Sequence, residues 1–506
     1  MRYVSTRGSA PALGFSDVLL AGLAPDGGLY LPEAWPDLPP LAELRGLSYP
    51  EIAVRVMWPF LDGDVDDDGN RVPGALDRAA FEEIVHEAYA TFDTPDVCPV
   101  VPLGVAGGVD ATGDAVLADG GGPELHLLEL FRGPTLAFKD VALQLVGRLF
   151  DHVLSARGAR VCVLGATSGD TGSAAMHACA DRECVDIVIL FPDGRTSEVQ
   201  RRQMTTLGAA NAHAVALPGT FDDCQDLVKA AFADAEFRDE VRLSAVNSIN
   251  WARVMAQVVY YVTSYLAVTG DESAAEGDAE TVTFVVPTGN FGNVLAGWVA
   301  KRMGLPVERL VVASNRNDIL TRFFSTGTME ITEVVPTTSP SMDIQVSSNL
   351  ERLLFEVLGR DGAALSDLMA RFRADGTVSV PVEVLAQLQS EFDCGRLDDE
   401  TAAAVIRSVQ QRTGLLVDPH TAIGIGVAEQ LADAGVLGDP SVPVVCLATA
   451  HPAKFPDAVE AAVGIRPGLP DHLGDLFERT ESFEQCAADL DAVEALVRRA
   501  IAHRTD

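Results

Sequence analysis

The stretch Arg132-Gly-Pro-Thr-Leu-Ala-Phe-Lys139-Asp140 decides how the rest of the chain is read. Gly133 and Pro134 break any preceding element, and Thr135 is a capping residue. Ala142, Leu145, Val146, Leu149 and Val153 then recur at helical spacing as far as Gly158. Lys139 is therefore expected in the first turn of a helix, where the backbone dipole opposes a second positive charge and lowers the amine's pKa. An amine that is readily neutral suits a Schiff base, which a guanidinium does not form. Composition adds weight, since only four of the 37 basic residues are lysine: Lys139, Lys229, Lys301 and Lys454. Taken alone, Lys139 also reads as a solvated residue on a helix flank; its surroundings decide between the two.

Working outward, short apolar runs alternate with helical patterns. Residues 160–164, 186–190 and 212–217 read as strands, with helices at 171–182 and 197–207. Strands at 281–286 and 310–314 flank a helix at 293–302, and 442–447 is one more strand. This rhythm implies an α/β protein with mostly parallel sheets covered by helices, in two three-layer lobes on either side of a long helical stretch at 248–267. Residues 350–435 read as helices with no strand between them, an insertion in the second lobe. Ahead of the lobes, a turn-rich segment at 22–32 leads to helices at 49–60 and 78–91, and an amphipathic helix at 482–503 ends the chain. The expected division is an N-terminal domain at 1–95, a first lobe at 96–240, a second at 241–465 and a helical tail at 466–506. Residues 106–123 and 270–280 read as surface connections. Asp62-Gly-Asp-Val-Asp-Asp-Asp-Gly69 lacks the EF-hand ligand order and reads as a solvated loop, so no metal is expected.

Bulk numbers narrow the partners. The 506 residues are enough for two to four domains, and 48% hydrophobic content excludes a disordered chain. A net charge of −36 argues against nucleic acid and anionic membranes. Eight scattered cysteines without a CxxC pair read as reduced residues, and the start lacks an apolar signal core, so the protein is expected in the cytoplasm. Whether it is a monomer or a homodimer stays open.

Three loops carry chemistry. Pro287-Thr-Gly289-Asn290-Phe291-Gly292-Asn293 runs from a strand into a helix, and its glycines let backbone N–H groups converge on a phosphate. A plain turn is the other reading. Ala166-Thr167-Ser168-Gly169-Asp170-Thr171-Gly172 suits a carboxylate at a helix start, or is simply a capping loop. In Ala448-Thr449-Ala-His451-Pro-Ala-Lys454-Phe455, Thr449 offers a neutral hydroxyl to a ring nitrogen, while His451 reads as a packed residue.

An imine-forming lysine, a phosphate cradle, an anion loop and a strand-end hydroxyl together describe a pyridoxal 5'-phosphate site. Gly133–Asp140, Thr167–Gly172, Gly289–Asn293 and Ala448–Phe455, in that order, resemble the long-form threonine synthases. That family belongs to the fold type II pyridoxal phosphate enzymes, which are tryptophan synthase β-like. Tyr3–Gly8, Phe191–Arg195, Asn247–Arg253, Ser341–Asn349 and Asp418–Ala422 fit the same family, so the resemblance runs from residue 3 to about 458. It implies that Lys139 holds the cofactor, that 289–293 cradle the cofactor phosphate and that Thr449 partners the pyridine nitrogen. Asp170 stands where short-form relatives carry an asparagine facing the cofactor's 3-oxygen, so a shared proton or a water is implied there. The implied reaction converts O-phospho-L-homoserine and water to L-threonine and phosphate. Thr167, Ser168, Gly169 and Thr171 are then candidates for the substrate carboxylate. Asn247, Ser248, Arg253 and Lys454 are candidates for its phosphoryl group, with Arg195 behind them and His420 left as structural. The alternatives are another fold type II lyase, such as a serine or threonine dehydratase or an amine phospholyase, and a non-catalytic protein that binds phosphorylated metabolites.

Overall fold

Residues 185–192 are buried at every position, as a strand covered on both faces must be, and they form the middle of a five-stranded sheet. The computed structural model describes residues 1–65, 70–105, 122–245, 248–270 and 280–502. In the five-stranded sheet the order is Glu484–Gln485, Ala212–Leu217, Val185–Pro192, Val161–Ala166 and Leu243–Ser244, all parallel. A six-stranded sheet runs Phe392–Arg396, Val307–Ser314, Val282–Pro287, Val444–Ala448, Glu124–Glu129 and Val100–Val105. Its last pair alone is antiparallel. Two mainly parallel sheets, as expected, form the cores of two lobes.

The division along the chain differs from the expected one in three places. Glu124–Glu129 lies in the second sheet beside Val444–Ala448, so the chain enters the second lobe before it builds the first. Its alternation of glutamate, histidine and leucine gave no clear apolar run. Secondly, the helical stretch 350–435 is interrupted by Thr377–Ser379, which pairs with Thr328–Glu330, and by Phe392–Arg396 at the sheet edge. An edge strand needs little apolar surface, and Phe392-Asp-Cys-Gly-Arg396 has a single large apolar residue. Finally, the tail is not a separate unit. Gln485 and its neighbour extend the first sheet, and Val493, Leu496, Val497 and Ala500 of the helix Leu490–Ala502 pack with Cys162, Leu164 and Val188.

Between the lobes runs the helix Trp251–Val268, buried along nearly its whole length. Asn250 caps it by accepting from Ala252 N–H at 3.0 Å, and its amide donates to the Leu19 carbonyl at 2.8 Å, tying the helix to the N-terminal region. That region is joined again where Thr6 and Arg7 both donate to Glu351. Asp64, expected in a solvated loop, is buried and accepts from Ser16 N–H at 3.0 Å. The rest of that loop, 66–69, and most of the two expected surface connections, 106–121 and 271–279, lie outside the described residues. Among the described residues no helix is long and apolar enough to cross a membrane, and no acidic, histidine or cysteine cluster is arranged to hold a metal ion.

Candidate active site

Ligands of open α/β sheets gather beyond the carboxyl ends of the strands. Three adjacent strands of the second sheet, Val282–Pro287, Val444–Ala448 and Glu124–Glu129, deliver three of the four expected segments there. After the first comes the 289–293 loop, after the second Thr449, and after the third the lysine segment. The fourth segment follows Val161–Ala166 in the first lobe.

Lys139 is the first residue of the helix Lys139–Ala156. The loop before it is clamped to the end of Val444–Ala448: Phe138 N–H donates to the Thr449 carbonyl at 2.9 Å and His451 N–H to the Leu136 carbonyl at 3.0 Å. Leu136 holds φ +62°, a left-handed conformation that a branched side chain adopts only under constraint. Asp140 folds back to accept from the Thr135 hydroxyl at 2.7 Å and its N–H at 2.8 Å. Burial pushes the Asp140 carboxyl up to about 6.

The Lys139 amine is buried and sits 3.3 Å from Asp170 Oδ2. Its pKa is lowered, as the sequence predicts, but burial is the first cause and the nearby charges of Lys454 and Arg253 add to it, against the pull of Asp170. Asp170 takes four donors. Ser341 Oγ donates to Oδ2 at 3.0 Å, Gln200 Nε2 to Oδ1 at 2.8 Å, and Lys454 Nζ lies 2.9 Å from Oδ1. Burial opposes its charge, yet Lys454, Lys139 and His420 outweigh burial and hold the carboxyl well below the usual range. No shared proton is needed on so well-paired an anion.

Ser341 links this cluster to the glycine loop. A Cβ on Gly289 would stand 2.7 Å from the Ser341 carbonyl, so only glycine lets the two segments meet. Ser347 donates to the Gly289 carbonyl at 2.8 Å, and the Asn349 amide donates to the carbonyls of Asn290 and Ser248. Phe291, at φ +63°, turns its ring into the core against Phe324 and releases the chain into the helix Gly292–Arg302. Asn293 Oδ1 accepts from Tyr261 at 3.0 Å and from Tyr260, while its Nδ2 is buried without a partner.

The remaining expected residues divide. Arg253 is buried, its pKa pulled down to about 10 by burial, and its Nε and Nη1 have no partner among the described residues. Lys454 is fully buried, and its amine is taken up by the Thr135 carbonyl at 2.8 Å and by Asp170, so it acts through Asp170. Thr167 spends its hydroxyl oxygen on the N–H groups of Gly169 and Gly172, both at 2.9 Å, and shapes the loop from within. Ser168 is exposed and Thr171 half-buried, and Arg195 is exposed. Asn247 lies outside the described residues. His420 is held by Asp418 at 2.6 Å and accepts from Ser341 N–H at 3.3 Å, fixing Ser341 from behind. His451 accepts from Ala453 N–H at 3.1 Å and packs edge-on to Phe131.

Sequence reasoning assigned no part to Gln200, Ser341, Tyr260 or Tyr261. For the tyrosines a signal was present, two hydroxyls inside a valine-rich helix, but Gln200 meets Asp170 only through the fold.

The residues fit a pyridoxal phosphate. A buried amine flanked by one anion and two cations awaits an aldehyde. Around the glycine loop, a helix N-terminus and an orphaned amide await a phosphate. Thr449 supplies a neutral hydroxyl, and its own carbonyl is spent on Phe138. Fold and site together define a pyridoxal-phosphate-dependent enzyme of fold type II, and the family model described as "Pyridoxal-phosphate dependent enzyme" matches residues 116–449. Two further models match on either side, "Threonine synthase N terminus" at residues 2–71 and "Threonine synthase, C-terminal" at 421–497. The chain is 49% identical over 500 residues to the threonine synthase of Pseudomonas aeruginosa, covering 98% of each. Its structure is similar to PLP-bound threonine synthase from Brucella melitensis, with 50% identity, a TM-score of 0.88 and 99% of each chain covered. Threonine synthase from yeast gives 35% identity and a TM-score of 0.86 over 100% of this chain and 98% of that one. This chain belongs to the threonine synthase family.

Proposed function

We propose that this protein converts O-phospho-L-homoserine and water to L-threonine and inorganic phosphate, with pyridoxal 5'-phosphate held at Lys139. The observation that carries the reading is the continuous path from the Lys139 amine through Asp170 and Ser341 to Gly289, which sets the reactive amine beside a phosphate cradle. When bound, the cofactor supplies an electron sink for negative charge that develops on substrate carbon. Thr449 would offer its neutral hydroxyl to the ring nitrogen, and the 289–293 loop would hold the phosphate.

Lys139 takes and returns the protons at the substrate's α and β carbons, a task suited to an amine whose burial lowers its pKa. Asp170, kept ionised by Lys454, holds that amine in place when it is charged. The start of the helix Asp170–Cys179, with Ser168 and Thr171, receives the substrate carboxylate. Arg253 meets the phosphoryl group that leaves the γ carbon, since its two unpartnered nitrogens are the buried positive charge such a group requires. Ser248, whose carbonyl accepts from the Asn349 amide, is a second candidate for that group. Eight free cysteines suit a reducing compartment, and we place the protein in the cytoplasm.

The test is product analysis. Purified protein given O-phospho-L-homoserine should release phosphate and threonine in equal amounts, and Lys139→Ala should do neither while keeping its fold. Release of a keto acid with ammonia would instead place the protein among the dehydratase-like lyases.

A further inference from the structure

The helix Trp251–Val268 is apolar around most of its circumference, yet Arg253, Gln257, Tyr260 and Tyr261 form a buried polar group on it. Spacings of three, four and seven residues from Arg253 through Gln257 to Tyr260 keep those three side chains on one face. Polar groups in such a place are retained only with partners. Tyr260 finds its partner in the side-chain oxygen of Asn293. Tyr261 donates to the same oxygen at 3.0 Å and to the Asn293 carbonyl at 2.9 Å.

The Tyr260 hydroxyl has a proton to give and gives it to the amide oxygen, which turns that oxygen toward the tyrosines. Oδ1 faces the tyrosines, so Nδ2 faces away from them, and there it is buried with no acceptor among the described residues. Asn293 is the second residue of the helix Gly292–Arg302, next to the backbone N–H groups that open it. An orphaned donor there lacks an acceptor, and beside a helix N-terminus an anion is the acceptor best suited to it. Turning the amide over would aim its oxygen at that anion and leave the tyrosines facing a donor.

We propose that Tyr260 and Tyr261 are positioning residues for cofactor retention, fixing the Asn293 amide with its N–H groups toward the cofactor phosphate. This rests on the reading of 289–293 as the phosphate cradle. The tyrosines touch neither cofactor nor substrate and act through Asn293. They belong to the helix between the lobes, so the cradle's hydrogen-bonding pattern is set from outside its own loop.

Tyr260 gives the cleaner test, because among the described residues its hydroxyl bonds to the Asn293 side chain and to no backbone group. The full-length holoenzyme is dialysed in steps to obtain the cofactor's Kd, and the 31P resonance of the bound cofactor is recorded. Tyr260→Phe is compared with wild type, and Tyr260→Phe/Asn293→Ala with Asn293→Ala. Tyr260→Phe should raise the Kd about ten-fold, the size expected when a hydrogen bond to a charged group loses its alignment, and should shift the 31P line. In the Asn293→Ala background the same change should alter neither. An equal effect of Tyr260→Phe in both backgrounds, or no effect in the wild-type background, overturns the inference while leaving the cradle in place. Unchanged retention and an unchanged 31P line in Asn293→Ala remove the cradle reading, and the inference with it. Tyr261→Phe provides a second single variant should Tyr260→Phe not fold.

Discussion

At the scale of single residues, the site is governed by one carboxylate shared between two lysines. In the proposed reaction Lys139 acts as a neutral amine, so its function is present above its pKa and lost as pH falls through it. Burial lowers that pKa, Lys454 lowers it further, and Asp170 raises it. Lys454→Met removes one lowering charge and takes from Asp170 a cation that competes with Lys139 for it, and both changes raise the pKa. The acid limb of the pH profile for cofactor capture should therefore move to higher pH; a limb that stays put or moves down contradicts this. Arg253 makes a separate prediction. Arg253→Met should raise KM for O-phospho-L-homoserine roughly 30-fold or more, the consequence of removing one partner of a buried charge pair, while cofactor retention stays as it was. Steady-state kinetics beside a cofactor assay separate the two.

At the scale of elements, the legible part came from local pattern. The lysine helix begins at Lys139 because Gly133, Pro134 and Thr135 end the preceding segment and apolar residues at helical spacing carry the chain on from there. The three chemistry-bearing loops were found for the same reason, each a short polar segment between a buried strand and a helix. Elements set by their neighbours were not legible. Phe392–Arg396 is a strand because Val307–Ser314 offers it a ladder, and Glu124–Glu129 because Val444–Ala448 does. The partners of Lys454 were hidden on the same ground, since nothing in Ala448–Phe455 says that Thr135 and Asp170 will meet its amine. The contact between the helices Lys139–Ala156 and Asp170–Cys179 gives a stability prediction. A Cβ at Gly147 would fall 2.2 Å from the Ala178 carbonyl oxygen, backbone that cannot step aside. Gly147→Ala should destabilise by about 1–3 kcal/mol, as overpacking does, read as a fall in the urea midpoint; an unchanged midpoint would show that the helices part freely.

At the scale of the whole molecule, a charge of −36 surrounds a site that gathers Lys139, Arg253 and Lys454. Self-repulsion of that surface weakens the folded state, and shortening the Debye length from ~30 Å to ~8 Å by added salt relieves it. The thermal midpoint should rise with sodium chloride over that range, and a midpoint that falls would mean that paired charges outweigh the repelling ones. The order in which the chain builds its sheets has a further result for a protein made from its N-terminus onward. Glu124–Glu129 leaves the ribosome early but has its parallel neighbour only when Val444–Ala448 emerges, and the clamp on Leu136 and Phe138 comes from that late segment. A nascent or prematurely ended chain therefore carries Lys139 without its clamp, and the loop before that lysine can be set only near the end of translation.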